Sequence, residues 1–242
     1  MTLVEIQDCA REIGWPEEHI AFFAEASKPS VDIQLTSERP QLAASRFGGL
    51  PYVPAGFAWP LHETGRYRFL GQINFAQLSV PSLALPTEGL LSLFYADDDD
   101  GEVFWQDAGY VLGYYWNDHS AHAVVPAPTG VPVNPEVAIE LVPSLNVPRH
   151  RELRTDWPFK EATDLAWDLS LEVNADAYLL GYPAHCTLGY DPTPGPEWVP
   201  LLNLGSVSDL DWCWHDGDRL MVFIQADRLK SRDFSTLACD AG

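Results

Sequence analysis

The chain has 242 residues, enough to bury one substantial core or two small ones that share an interface. Hydrophobic residues make up 46% and aromatics 12%, which excludes a disordered chain. Against 14 basic side chains stand 35 acidic ones; the formal charge of −21 repels nucleic-acid phosphates and anionic membranes and attracts a basic partner.

Thr2-Leu3-Val4-Glu5 has the form of a capping box, with Thr2 as N-cap and Glu5 reaching back. Leu3, Ile6, Ala10 and Ile13 then fall on one helical face, and Gly14 is placed to end the helix. Pro16 opens a second helix with Glu17 and Glu18 in its first turn, and Lys28-Pro29 closes it. Val31, Ile33 and Leu35 alternate with Asp32, Gln34 and Thr36, the pattern of a half-buried strand. The stretch 47–60 is too rich in Gly, Pro and aromatics for helix or strand and reads as an ordered loop. Strands follow near 67–74 and 90–96, then an exposed turn over Asp97-Asp98-Asp99-Asp100-Gly101-Glu102, then short strands near 102–106 and 110–116.

Residues 126–148 carry six prolines, so this segment is predicted as an edge or a surface connection, with one short strand over 137–142. Trp167, Leu169, Leu171 and Val173 alternate with Asp168, Ser170 and Glu172 and predict another amphipathic strand. A helical turn over 226–232 closes the reading. The expected fold is α+β, mainly antiparallel β, with helices at the periphery.

One pattern occurs twice. Gly49-Leu50-Pro51 precedes a strand with Gln72 and Asn74, then Gly89 and the apolar run 90–95; Gly181-Tyr182-Pro183 precedes a strand with Asn203, then Gly217 and the apolar run 220–224. Pro51 to Gln72 is 21 residues and Pro183 to Asn203 is 20, which predicts two duplicated β units packed together. The expected organisation is a helical segment over 1–29 and a single domain over 30–242. Within that domain the first repeat covers about 45–116, the Pro-rich connection 126–148 and the second repeat about 165–239.

The clusters 45–54, 69–75, 85–95, 180–183, 214–220 and 227–235 together resemble the YwqG-like family, a bacterial family founded as a domain of unknown function. The resemblance covers roughly residues 30–239 and implies a duplicated α+β fold without an activity to carry over. Some members look like companions of secreted toxins in polymorphic-toxin loci, which implies an immunity or adaptor role. Where members tend to carry a Gln and an Asp-Ser-Asp run, this chain has Asn203-Leu204-Gly205-Ser206, a departure at what would be a shared binding site.

Candidate chemistry is sparse. The acidic turn has the composition of either a Ca²⁺ loop or a solvated hairpin tip; Ala96 stands where the EF-hand pattern needs an acid, which favours the tip. His119 and His122 have helical zinc spacing but no third ligand nearby, and Cys213, His215 and Asp216 are too close in sequence to form a triad among themselves. No phosphate-binding glycine fingerprint is present, and neither a metal nor a cofactor is expected. Gln72, Asn74 and Asn203 are amides in apolar strands. They either bond loop backbone or read a ligand in a cleft between the repeats, with Arg46, Trp59, Trp214 and Asp216 as companions.

Residues 1–12 show no signal peptide, no apolar run approaches the ~18 residues of a membrane span, and Cys9, Cys186, Cys213 and Cys239 read as free thiols, so the cytoplasm is expected. The leading expectation is a non-catalytic acidic module that binds a basic protein, as an immunity or adaptor protein would. The alternatives are a small-ligand sensor using the inter-repeat cleft and a hydrolase using carboxylates such as Asp216 and Asp218.

Overall fold

A computed structural model describes residues 1–79, 84–98, 100–149, 156–158 and 165–242. Helix α1 (Leu3–Glu12) starts on the predicted capping box: the Thr2 hydroxyl accepts from the Glu5 N–H, and the Glu5 carboxylate accepts from the Thr2 N–H at 2.7 Å. Helix α2 (Glu17–Ala26) follows Pro16. It ends before Lys28, which already opens a strand rather than closing the helix.

Nearly all strands join one sheet, with every pair antiparallel. They are β1 (Lys28–Thr36), β2 (Arg46–Phe47), β4 (Arg66–Asn74), β5 (Leu90–Asp97), β6 (Val111–Trp116), β8 (Val137–Asn146), β9 (Ala177–Leu180), β10 (Trp198–Gly205), β11 (Arg219–Gln225) and β12 (Ala238–Ala241). The order is β12-β11-β10-β9-β1-β8-β2-β4-β5-β6. A separate ribbon pairs β3 (Tyr52–Pro54) with β7 (His122–Val124), so part of the expected loop over 47–60 is a strand.

The centre of the order is the β1–β8 ladder, in register from Lys28↔Asn146 to Thr36↔Ala138. This corrects the reading of 126–148 as an edge or surface connection. Pro143 is tolerated because two-residue β2 pairs only with Val137 and Ala138, so it does not extend along β8 as far as the proline. On either side sits a long hairpin with one bulge: Leu70 is skipped between β4 and β5, and Leu201 between β10 and β11. Both bulged leucines are fully buried.

The expected strand at 167–173 is helix α3 (Leu165–Val173). Alternation and helical spacing both accommodate Leu169 and Val173. Leu171 separates them, because a strand would bury it with Leu169, whereas it is 51% exposed and Ala166 is buried instead. Helices α1, α2 and α3 share their own apolar cluster, with Trp15 edge-on to Phe23 at 4.2 Å and Val147 reaching in from the end of β8. No strand forms over 102–106.

The sheet curls back on itself. A side chain on Gly113 in β6 would put its Cβ 2.9 Å from the Phe234 carbonyl oxygen, and the Phe234 ring stacks on Tyr115 at 5.4 Å. The Val111 N–H of β6 lies within hydrogen-bonding reach of the Cys239 sulfur in β12. The two ends of the strand order thereby enclose one continuous apolar core running from Val31 through Phe94 to Phe223's neighbours Val222 and Ile224. Among the described residues no helix is long and apolar enough to cross a membrane.

Gly71 lies where β2 crosses the bulge, and a Cβ there would come within 2.5 Å of the Arg46 carbonyl oxygen. Gly71→Ala is expected to cost about 1–3 kcal/mol in urea unfolding, as overpacking does. Burial pushes the Tyr95 and Tyr178 hydroxyls up to about 12. In the unfolded chain they ionise near ~10, so their contribution is complete below about pH 10 and is lost as pH rises towards 12. Circular dichroism against pH should show that alkaline loss, and Tyr178→Phe should make it shallower.

Candidate functional site

Three of the seven residues read from the sequence converge, but on the chain's own backbone. Arg46 and Gln72 are register partners across β2 and β4. Arg46, 2% exposed, donates to the carbonyls of Leu42 (2.6 Å) and Leu50 (2.7 Å) and places Nε 3.3 Å from a Glu136 carboxylate oxygen. Burial lowers its pKa and Glu136 partly offsets this. Gln72 donates to Leu42 and Ala44, and Asn74 donates to Ala43 while accepting from the Ala76 N–H. Together they stitch the 42–45 turn to β4, because strand amides cut off from water must find partners.

Asn203 does the same in the other hairpin, accepting from the Ala184 N–H at 3.1 Å and donating to Leu180. Trp59 donates its indole N–H to the Tyr67 carbonyl at 2.9 Å and packs on Phe94. Trp214 is buried edge-on to Tyr95 at 5.2 Å. Asp216 is exposed, on a left-handed backbone with φ 57°.

The loops around Trp214 and Asp216 form an acidic face. Segments 100–107 and 206–218 meet where the rings of Trp105 and His215 lie edge to face at 5.2 Å. Beneath them Asn134 ties the halves together, accepting from the Tyr95 hydroxyl and donating to the Leu210 carbonyl at 2.6 Å. Above them Asp100, Glu102, Asp107, Asp209, Asp211 and Asp216 are exposed. Asp98 spends both carboxylate oxygens on the N–H groups of Gly101 and Val103, the geometry of a hairpin tip; Asp99 lies outside the described residues. Among the described residues Asp240 is the acid that is buried, and it accepts from the Tyr190 hydroxyl at 2.8 Å and from Gln106.

The His119 and His122 rings lie 6.1 Å apart. Among the described residues no three His, Cys, Asp or Glu side chains are grouped to hold a metal ion. His215 Nδ1 lies 3.3 Å from Asp218, which also accepts from the Thr187 hydroxyl.

A cleft of about 700 Å³ opens elsewhere, beside the second hairpin. The starts of β1 and β10, the end of β9 and the residues after β8 wall it, with Arg149, Tyr182, His185 and Trp198 among its lining. None of the seven sequence-derived residues faces it. Arg149 opens the basic run Arg149-His150-Arg151, and His185 precedes Cys186, a pair that reads from sequence as a packed core cysteine beside a histidine; neither pattern points to a cleft, and only the β1–β8–β9 pairing brings their segments together.

The amides and the acidic face separate cleanly in a stability measurement. Gln72→Leu removes the side-chain donor from the Ala44 carbonyl, while the Leu42 carbonyl keeps Arg46, an expected cost of about 1–3 kcal/mol in denaturant unfolding. Asp216→Asn, on the exposed face, should stay within about 0.5 kcal/mol of the parent.

Residues 45–241 match the family described as "Domain of unknown function (DUF1963)". No curated protein matches the chain. The match covers β2 through β12, both long hairpins and the loops that meet at Trp105 and His215, and on that evidence the chain belongs to the DUF1963 domain family.

Proposed function

We propose that this protein is a non-catalytic binding module that engages a basic protein through the acidic face built from segments 100–107 and 206–218. The observation that carries the reading is the meeting of two acid-bearing loops at Trp105 and His215, with their carboxylates outward on a chain of formal charge −21. Clustered exposed charge of one sign raises the rate of encounter with an oppositely charged surface and disfavours wrong partners. The carboxylates of Asp216 and Asp218 do not suit hydrolysis: one is exposed, and the other is engaged with Thr187 and His215.

The YwqG-like resemblance adds an immunity or adaptor role to this reading. A duplicated origin is part of it too. In each hairpin the bulged leucine is followed two residues later by a buried amide, Gln72 or Asn203, that bonds loop backbone beside the neighbouring short strand. Four free cysteines suit a reducing compartment such as the cytoplasm.

Affinity capture from the native cell should recover one basic protein, and raising salt from about 50 to 200 mM should weaken its binding about tenfold or more. The combined change Asp209→Lys, Asp211→Lys and Asp216→Lys should abolish capture, while Glu12→Lys, Glu25→Lys and Glu172→Lys, equal in charge but placed on the three helices, should not. Equal loss in both sets would reduce the effect to net charge and remove the proposed face.

A further inference from the structure

The cleft beside the second hairpin holds a buried cation, Arg149, that has no carboxylate in salt-bridge contact among the described residues. Arg149 is 3% exposed and lines the cleft wall. Its Nη1 approaches the Cys186 sulfur at 4.0 Å and its guanidinium lies 5.6 Å from the centroid of the Trp167 ring. Its Nε has no hydrogen-bond partner, and among the described residues no carboxylate comes within 4.0 Å of it. The other buried arginine, Arg46, also has an Nε without a hydrogen bond, but both of its terminal nitrogens donate to carbonyls and a Glu136 carboxylate oxygen lies 3.3 Å from that Nε; burial lowers the Arg149 pKa, and the charge of Arg219, itself held by the Asp176 carboxylate at 2.8 Å, lowers it further. A sulfur atom and a ring face are weak replacements for the water a guanidinium loses on burial. Among the described residues this fork of donors has no oxygen acceptor.

Much of the remaining wall is apolar, and its central ring is held in place. Tyr182 is held at three points: its N–H donates to Asn146, its hydroxyl donates to Ala26 at 2.6 Å, and its carbonyl accepts from the Tyr178 hydroxyl. The Lys28 ammonium sits 4.0 Å over the Tyr182 ring. Trp198, Pro183 and Pro200 continue the apolar wall, and a volume of about 700 Å³ falls in the range of small-molecule sites. Asp156 and Asp191 stand on the exposed rim, and buried His185 is a further titratable group of the lining among the described residues.

The geometry points to a binding site for a small organic monocarboxylate, its carboxylate on the Arg149 guanidinium and its apolar body against Tyr182 and Trp198. A planar carboxylate matches the guanidinium fork in shape and charge. A phosphate would bring nearly two negative charges to one buried cation, past two rim carboxylates, so the single charge is favoured. The site is independent of the acidic face, and either can fail without the other.

The test is calorimetric titration of the full chain with butyrate, 3-phenylpropionate and indole-3-acetate, each against its own neutral amide, and with inorganic phosphate. At least one acid should bind in the millimolar range or tighter, with its amide and phosphate each about tenfold weaker or more. Arg149→Met, similar in size and uncharged, should remove the preference for acid over amide without lowering the melting temperature of the ligand-free protein. Trp198→Ala should weaken the aromatic acids more than butyrate. The proposal is overturned if acid and amide bind alike, if no acid binds below about 10 mM, if phosphate binds more tightly than every acid, or if folded Arg149→Met keeps the preference. The acid–amide comparison on the unmodified protein decides the matter even where the variant does not fold.

Discussion

The β1–β8 ladder is the seam on which both halves of this molecule depend. It runs through nine register positions, from Lys28↔Asn146 to Thr36↔Ala138. The flanking attachments are far shorter: β9 joins β1 through Ser30, Val31 and Asp32, and β2 joins β8 through Val137 and Ala138. Backbone hydrogen bonds alone would leave each hairpin loosely hung. The halves are instead locked by what they bury together, as where Phe47 meets Trp212 at 5.1 Å and Tyr95 meets Trp214. Apolar burial supplies the cohesion that the short ladders lack, and it also sets the two acidic loops side by side.

Buried polarity is used in two ways. In the strands it is structural: Arg46, Gln72, Asn74 and Asn203 hold loops against the sheet by bonding carbonyls and N–H groups that would otherwise lose water without recompense. At the cleft it is incomplete, since Arg149 meets only sulfur and an aromatic face among the described residues. Of the two buried arginines, Arg46 gives both terminal nitrogens to carbonyls and stands beside Glu136, whereas Arg149 has no oxygen acceptor among the described residues, and that difference is what the proposed ligand site rests on.

Much of the fold was legible in the residues themselves. The capping box placed α1, and the runs at 67–74, 90–96 and 110–116 became β4, β5 and β6 because one apolar face and flanking turns leave few alternatives. Failure came where two periods coincide over a short span, as at 165–173, and where a proline rule meets local context, as at Pro143 beside a two-residue partner strand. The site was harder. Amides in apolar strands do mark buried polar groups, yet sequence cannot say whether the partner is a ligand or a loop. Arg149 is an ordinary residue until Cys186, Trp167 and Tyr182 are brought around it by pairings that span most of the chain.

The seam also sets the order of events as the chain folds. Lys28 must find Asn146, whereas the connections of β4 to β5 and of β10 to β11, Asn74 to Leu90 and Gly205 to Arg219, close far smaller loops and cost less loop-closure entropy. Contact order thus favours the hairpins as the earlier, local structures and the β1–β8 pairing as the slower, long-range step. Until that pairing closes, two half-sheets with open edges coexist in one chain, and this is the interval in which a chaperone would have the most to protect.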